Sequence, residues 1–285
     1  MKIASESING VLCKYGNFGD ARDQVKQNHL QSLFSKREIY FAQANELNDP
    51  FELRPRFRVS DSPDGLLVDT IAKKFIERSW ATSLPEALVL AQSYHEAHPN
   101  RIRDSGIDDL LSGDLHKSLH ENVGVLCLSP VQDSVIMFSH YGAAHTGFCL
   151  EFDGPRIAGQ FSTPPPFDLE YGLDYPTINP LAGISSDTAS LMWQKKFSDW
   201  AYEREVRIIS ERNTPMLDSQ PSGPGAKVYR KGALRAVILG KNVSDDNISK
   251  VRGWLAQRDD GPIQLFREMI HASQFRLTRV AVNEI

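Results

Sequence analysis

The sequence predicts an α+β fold with a mixed, mainly antiparallel sheet and a helical insert. Strand-like and helix-like segments alternate at uneven lengths, without the regular βαβ rhythm of a doubly wound sheet. Hydrophobic residues make up 41% of the 285 residues, which is sufficient for a sizeable core. We therefore expect one α+β domain over residues 1–285, with the helical insert at about 62–122.

Apolar, β-branched runs mark the strands of this domain. They are expected at residues 10–15, 38–42, 123–129, 147–152, 202–210, 234–239, 263–266 and 275–282, with a shorter strand at 167–171. Apolar residues at helical spacing predict helices at 21–34, 188–200 and 244–256, and three or four helices within 66–122. In the loop before the insert, Asn48-Asp49-Pro50 is a turn signal, because Asx side chains bond nearby backbone amides and proline fixes φ.

Composition narrows the classes of function. The net charge of -4 and the pI of about 6.1 argue against a global nucleic-acid-binding surface, although a local basic patch remains open. No apolar run has the length of a membrane span, and the N-terminus lacks a signal-peptide pattern. Cys13, Cys127 and Cys149 lie far apart in apolar stretches, which is typical of reduced thiols and not of a disulfide or zinc site. A cytoplasmic protein without a membrane partner or a metal site is expected.

The segment W-A-Y-E-R-E-V-R at residues 200–207 carries the main chemical signal. Alternate residues of a strand face the same side, so a strand here places Glu203, Glu205 and Arg207 in one row. Arg207 is then positioned to compensate the repulsion between the two carboxylates. Such a row suits general acid–base work or stabilisation of a developing positive charge. A charge ladder on a half-exposed strand explains the same spacing and is the commoner case.

A second polar group lies in Ser139-His140-Tyr141-Gly142-Ala143-Ala144-His145. Its histidines have neither the helical spacing of a zinc site nor an apparent carboxylate partner, so structural histidines are the simpler explanation. The motifs of P-loop hydrolases, Rossmann dehydrogenases and α/β-hydrolases are all missing from the sequence. Those three classes lose most of their support.

Five short motifs in a fixed order resemble a bacterial family of domains whose function is not assigned. The family pattern is L-x-K-Y, L-N-D-P-F-E, L-S-L-S, M-W-S-H-Y-A-x-x-H-x-G and W-x-Y-E-x-E-W-R-I. The corresponding segments here are residues 12–15, 47–52, 126–129, 137–147 and 200–208. The likeness spans most of the chain, with the helical stretch as an insert. Phe138 and Val206 replace tryptophans of the pattern, which affects packing more than chemistry.

A more distant resemblance links this pattern to ADP-ribosyltransferase-type toxin and phage-defence domains, and it implies a split sheet and NAD as a substrate. In those domains an early, a middle and a late strand carry the site. The matching positions here are Lys14-Tyr15, Ser139-His140-Tyr141 and Glu203-Arg204-Glu205, with Arg207 beside the acids and Asn48 as a further NAD-binding candidate. The resemblance implies that Glu205 stabilises an oxocarbenium-like ribose and that Glu203 orients or deprotonates the acceptor. Tyr15 or Tyr141 would stack on nicotinamide.

Three hypotheses follow. The first is an NAD-consuming transferase acting on nucleic acid or protein, a toxin or phage-defence effector with an antitoxin or defence-system partner. The second is a metal-dependent nuclease or hydrolase that uses Asp49, Glu52, Glu203, Glu205 and His140 as ligands. The third is a non-enzymatic binding or sensor module in which the acidic row is structural. The first is preferred over the other two.

Overall fold

The computed structural model describes residues 7–57, 62–99, 113–161, 165–179, 181, 191–214, 216 and 220–282. The chain divides into two compact units. The first consists of residues 48–121 and 170–198, and the second of residues 2–47, 122–169 and 199–285. The helical insert expected at about 62–122 therefore belongs to the first unit, together with a later segment that the sequence pattern did not connect to it.

Seven helices and fourteen strands are formed by the described residues. The helices are α1 Gln24–Ser35, α2 Asp64–Glu77, α3 Leu84–Ala97, α4 Gly113–Asn122, α5 Val135–His140, α6 Gly154–Gln160 and α7 Asp245–Leu255. The strands are β1 Val11–Gly16, β2 Glu38–Phe41, β3 Arg56–Phe57, β4 Val123–Leu128, β5 Phe148–Asp153, β6 Phe167–Asp168, β7 Glu170–Gly172, β8 Thr177–Ile178, β9 Lys195–Phe197, β10 Val206–Glu211, β11 Gly225–Val228, β12 Leu234–Leu239, β13 Gln264–Ile270 and β14 Leu277–Ala281. None of the helices in these ranges has the length and apolarity needed to cross a membrane.

A helical hairpin forms the core of the first unit. Helices α2 and α3 pack through apolar side chains at helical spacing, among them Leu67, Ile71 and Phe75 from α2 and Ala87 and Ala91 from α3. Ser83 caps α3 by accepting a hydrogen bond from the backbone N–H of Glu86. Two short parallel pairs, β3 with β8 and β7 with β9, complete the described part of this unit.

Three sheets build the second unit. The largest has the strand order β1-β5-β12-β13-β14, in which only β12 and β13 run parallel. The second has the order β4-β10-β6, and the third pairs β11 with β2, both antiparallel. Isolated bridges join β1 to Ser129, just after β4, and Ala42 to Val125 in β4. The prediction of an α+β fold with a mainly antiparallel mixed sheet is confirmed.

Continuous apolar runs explain why these strands form the interior. The burial of β4 and β5 is almost complete on both faces, as expected for strands covered on two sides. Helices α1, α6 and α7 add apolar side chains to the same core, including Phe34, Ile157 and Val251. Close packing of this core fixes the chain segments that carry the polar residues discussed below.

Two predicted elements around the acidic segment differ in the structure. The helix expected at residues 188–200 is interrupted by β9, because residues 195–197 pair with β7, a partner that local spacing does not reveal. Its first residues, 188–190, lie outside the described part of the chain. The strand expected at 202–210 begins only at Val206, since a 3-10 helix occupies Ser198–Glu203 and Arg204 adopts a left-handed conformation with φ of 48°.

Candidate active site

Ser129 lies where three of the four motif-bearing segments of the second unit meet. Its backbone exchanges two hydrogen bonds with Cys13 of β1, with N···O distances of 2.7 and 2.9 Å. The Ser129 hydroxyl donates to the carbonyl of Glu203 at 2.5 Å and accepts from the N–H of Val131 at 3.0 Å. Because Ser129 follows β4 directly, it connects the end of that strand both to β1 and to the turn that precedes β10. The local sequence predicts no role for Ser129, although it ends the segment that matches the L-S-L-S motif.

The two glutamates lie in a turn and not in a strand. Arg204 separates them in the left-handed conformation, which is strained for a residue with a Cβ atom. Strand alternation therefore does not apply to Glu203. The prediction that a strand places three charged residues in one row is wrong, because the strand begins only after both glutamates. Both acids are nevertheless buried, each with 3% exposure, so the solvated charge ladder is not what forms.

Glu205 and Arg207 form an ion pair inside the protein. The Arg207 Nε donates to Glu205 Oε1 at 2.7 Å, and the Arg207 side chain is fully buried. Lys14 of β1 is close enough for its charge to interact with Glu205. Burial lowers the pKa of Lys14, while the charges of Cys127 and Glu205 oppose that shift. Two basic side chains, Arg207 of β10 and Lys14 of β1, thus interact electrostatically with the Glu205 carboxylate.

Glu203 faces a different set of side chains, which reach towards the surface. The hydroxyl of half-buried Tyr141 donates a short hydrogen bond to Glu203 Oε1. The neighbouring His140 is exposed, and its Nδ1 is hydrogen-bonded to the hydroxyl of Tyr202 at 2.7 Å. Trp200 completes this aromatic group, with its ring centroid 6.4 Å from His140 and 6.2 Å from Tyr202. The Glu203 carboxylate is therefore buried but adjoins rings that are open to solvent.

The two tyrosines among the NAD-binding candidates differ in burial. Tyr15 is buried, its hydroxyl donates to the carbonyl of Val131 at 2.8 Å, and its ring packs edge-on against Phe138. Burial raises the pKa of Tyr15 well above its usual value. The Tyr15 ring is thus occupied by packing and is not placed to stack on a ligand. Tyr141, in contrast, is only partly buried.

Ser139 bonds within its own helix, and Asn48 belongs to the first unit. The exposed Ser139 donates from Oγ to the carbonyl of Val135 within α5, at 2.7 Å, and its Oγ lies 3.3 Å from the Nε2 of His145. Asn48 is exposed and belongs to the first unit, whereas all other candidates belong to the second. In the same loop the Asp49 carboxylate accepts from the N–H of Phe51 at 2.9 Å, which is the expected Asx turn.

A further buried carboxylate in the second unit has no local signal in the sequence. Glu268 of β13 is fully buried, and its Oε2 lies 3.1 Å from the Nδ1 of His145. Burial and, to a smaller extent, the charge of Asp133 raise the pKa of Glu268 to about 8. Burial also lowers the pKa of His145, with Lys241 acting in the same direction. The two residues are far apart in sequence, so only the folding of β13 onto β12 brings them together.

His145 is held by an unusual backbone. Ala143, Ala144 and His145 all adopt positive φ angles of 46°, 53° and 65°. The carbonyl of His145 packs so closely on Gly240 that a Cβ atom there would lie 2.2 Å from its oxygen. This strained turn fixes the imidazole against Glu268.

The described residues contain no group of three or more histidine, cysteine, aspartate or glutamate side chains arranged to hold a metal ion. Asp49 and Glu52 of the proposed ligand set lie in the first unit, and Glu203, Glu205 and His140 lie in the second. None of these five residues belongs to a candidate metal-binding group among the described residues. What the second unit does offer is a buried carboxylate held by a phenol, beside an exposed imidazole and two aromatic rings.

Comparison of the chain with known proteins finds no match. No protein-family model matches the chain, and neither a curated protein nor a solved structure matches it.

Proposed function

We propose that the protein is an NAD-consuming enzyme that transfers ADP-ribose to a macromolecular acceptor, nucleic acid or protein, as a toxin or phage-defence effector does. One observation carries the proposal. Ser129 connects β1, β4 and the turn before β10, and at that junction the Glu203 carboxylate is held by Tyr141. The early, middle and late segments that the resemblance requires therefore adjoin one another in the second unit.

The arrangement of strands supports the same proposal. Strand β10 pairs with β4 over six residues, whereas the backbone hydrogen-bonded link from this sheet to β1, in the described ranges, is the Cys13–Ser129 bridge just after β4. Strand β1 continues instead into the five-stranded sheet through β5. Two sheets that touch at one bridge agree with the split sheet expected of an ADP-ribosyltransferase-like fold.

The chemistry needs a carboxylate near a carbon that becomes positive. The bond between nicotinamide and C1′ of the ribose breaks, the electron pair leaves with nicotinamide, and C1′ acquires oxocarbenium character. A nucleophilic oxygen or nitrogen of the acceptor then bonds to C1′ and gives up its proton to a base or to water. A negative charge fixed in a water-poor site stabilises this transition state more strongly than it does in water.

Glu203 is the better placed of the two glutamates for this role. Glu205 neutralises the fully buried Arg207, and a buried cation without its partner is costly. Glu203 instead bonds to Tyr141, whose ring is partly open to solvent and whose chain neighbour His140 belongs to the aromatic group with Trp200 and Tyr202. We assign charge stabilisation to Glu203, ring stacking to Tyr141 or Trp200, and positioning of the floor of the site to Glu205 and Arg207.

The test measures nicotinamide release and label transfer from labelled NAD in the presence of cell lysate. The wild-type protein should release nicotinamide and label a macromolecule, and Glu203→Gln should lower the rate at least about 100-fold, the usual effect of removing one electrostatic group. Glu211→Gln is the matched control, because Glu211 is an exposed glutamate at the end of β10. Absence of nicotinamide release by the wild type, or equal rates for the two variants, would refute the proposal.

The burial of the Glu205–Arg207 pair favours one alternative, a non-enzymatic binding or sensor module in which these charges stabilise the fold. The same variants separate the two functions. A module requires that Glu203→Gln and Glu205→Gln change the melting temperature while nicotinamide release is absent in every protein. An enzyme requires that Glu203→Gln abolishes release at an unchanged melting temperature.

A further inference from the structure

The first unit contains a cavity that the proposed chemistry of the second unit does not use. It has a volume of about 190 Å³ and lies among three segments of the first unit. These are residues 51–54, next to the Asx turn, residues 172–176, which follow β7, and residues 192–197, which include β9. The parallel pairing of β7 with β9 fixes the second and third segments relative to each other.

Aromatic rings form one side of this cavity and stay partly open to solvent. Phe51 and Tyr175 have exposed fractions of 48% and 47%. The ring of Phe51 packs edge-to-face against Tyr175 and Phe197, with centroid distances of 6.1 and 5.8 Å and interplanar angles of 73° and 75°. Edge-to-face contacts hold the rings in fixed orientations, so their open faces are available without rearrangement.

Basic side chains form the rest of the polar lining. Lys196 lies within 3.7 Å of the Glu52 carboxylate, and both side chains are buried. Lys195 forms a salt bridge with Glu170. Arg54 is exposed and forms no salt bridge with any acid in the described ranges of the chain. Of the three cations, Arg54 is the one whose charge is available to an anionic ligand.

The size of the cavity limits the ligand. Sites for drug-sized molecules measure about 300–1,000 Å³, so this cavity is suited to a single ring system and not to a whole dinucleotide. Its lining combines aromatic faces with cations, the combination with which proteins bind single-stranded nucleic acid. The one acid in the lining, exposed Asp174, can accept hydrogen bonds from an amino group of a base or from a ribose hydroxyl.

We propose that this cavity binds one nucleotide unit, with the base against Phe51 and Tyr175 and its phosphate at Arg54. A purine or pyrimidine ring gains stacking energy on either aromatic face, and the guanidinium supplies a planar pair of donors to the phosphate oxygens. The nucleotide can come from a free mononucleotide or from a single strand of RNA or DNA. The inference rests on the first unit alone and does not depend on the NAD chemistry proposed for the second.

The experiment uses the full chain and a fluorescein-labelled pentanucleotide of adenosine, whose anisotropy reports binding. Phe51→Ala should weaken binding about 5-fold to 100-fold, as expected for the loss of one stacked base. Phe51→Trp should retain it, because a larger aromatic face remains. Phe275→Ala is the matched control, since Phe275 is a fully exposed ring between β13 and β14 in the second unit. Arg54→Gln should weaken binding and reduce the slope of log K against log salt by about 0.7.

The outcomes distinguish a free nucleotide from a nucleic-acid strand, and the nucleotide proposal from the NAD proposal. Competition by AMP at micromolar concentration supports a free nucleotide, and binding that only the pentanucleotide shows supports a nucleic-acid strand. Glu203→Gln should bind the pentanucleotide like the wild type, so a failure of the NAD proposal leaves this one testable. Absence of binding by both AMP and the pentanucleotide, or equal losses for Phe51→Ala and Phe275→Ala, would overturn it.

Discussion

Two buried carboxylates of the second unit are stabilised in different ways. Glu205 lies beside the guanidinium of Arg207, with 3% and 0% of their side chains exposed. Glu268 is equally inaccessible, but its partner is the imidazole of His145, and its Oε1 has no hydrogen-bond partner among the residues that the structure describes. One acid thus faces a permanent cation, and the other faces a group that can lose its charge.

This difference determines which site responds to pH. The pKa of Glu268 is raised to about 8, chiefly by burial, and the pKa of His145 is lowered, also by burial. Near neutral pH the pair is therefore an uncharged hydrogen-bonded couple. The Glu205–Arg207 pair avoids the cost of an isolated buried charge by mutual neutralisation, because arginine remains protonated at every pH that a protein tolerates. Two carboxylates of similar burial thus differ in their partners, and we expect the Glu268–His145 pair to be the one whose charge changes with pH.

The largest effect should come from removing the permanent cation. Arg207→Met leaves Glu205 buried without its guanidinium and should lower the free energy of unfolding by about 3–5 kcal/mol. Urea denaturation measures this loss. Arg235→Met is the control, because Arg235 is half-exposed in its pair with Asp153 and should cost below about 1 kcal/mol. Equal losses for the two variants would show that the Glu205–Arg207 pair does not differ from a surface pair.

A pH titration of stability should distinguish the second site. Between pH 4.5 and about 8 folded Glu268 stays protonated while unfolded Glu268 is ionised, so the folded state binds more protons and stability falls as the pH rises. Relative to Glu268→Gln, the wild type should lose up to about 1.4 kcal/mol per pH unit in this window. Chemical denaturation at several pH values measures the difference, with Glu211→Gln as an exposed control. A wild-type curve parallel to that of Glu268→Gln would contradict the raised pKa.

The smallest effect concerns a third mode of stabilisation, a carboxylate held by a phenol. Tyr141→Phe removes the hydrogen bond to Glu203 and should lower the free energy of unfolding by about 1.5 kcal/mol. Tyr202→Phe removes a hydroxyl that bonds to exposed His140 and should change stability by less than about 0.5 kcal/mol. Thermal denaturation of both variants provides the comparison. If Tyr202→Phe is the more destabilising, Glu203 is not anchored by Tyr141.

Local sequence predicts the strands well where both faces are apolar. Strands β4, β5 and β12 were expected within one residue of their observed limits, because continuous apolar runs leave few alternatives. The start of β10 was not predictable from local sequence. The turn before it depends on the left-handed Arg204 and on a hydrogen bond from the hydroxyl of Ser129 to Glu203, 74 residues apart in sequence. Alternation placed Glu203 and Glu205 on a strand, whereas both lie before the start of β10.

The candidate sites show the same limit. Glu203, Glu205, Arg207 and Tyr141 carried a signal because they belong to short ordered motifs, and their burial became evident only from the fold. The His145–Glu268 pair spans 123 residues and has no motif, so no local pattern indicates it. Likewise, the cavity of the first unit joins residues 51–54 to 172–176 and 192–197 through tertiary packing alone.

The order in which the five-stranded sheet uses the chain has a consequence for synthesis on the ribosome. In the described residues β1 pairs with β5 and bridges to Ser129, so the pairing of Gly16 with Phe148 cannot form until Phe148 is synthesised, about 130 residues later. At roughly 5–20 residues per second this takes roughly 7–26 seconds. During that interval Leu12 and Tyr15 lack the neighbours that β5 supplies. The helical hairpin at 64–97 can already fold by local contacts. The nascent N-terminal strand is therefore the segment for which a chaperone is most needed.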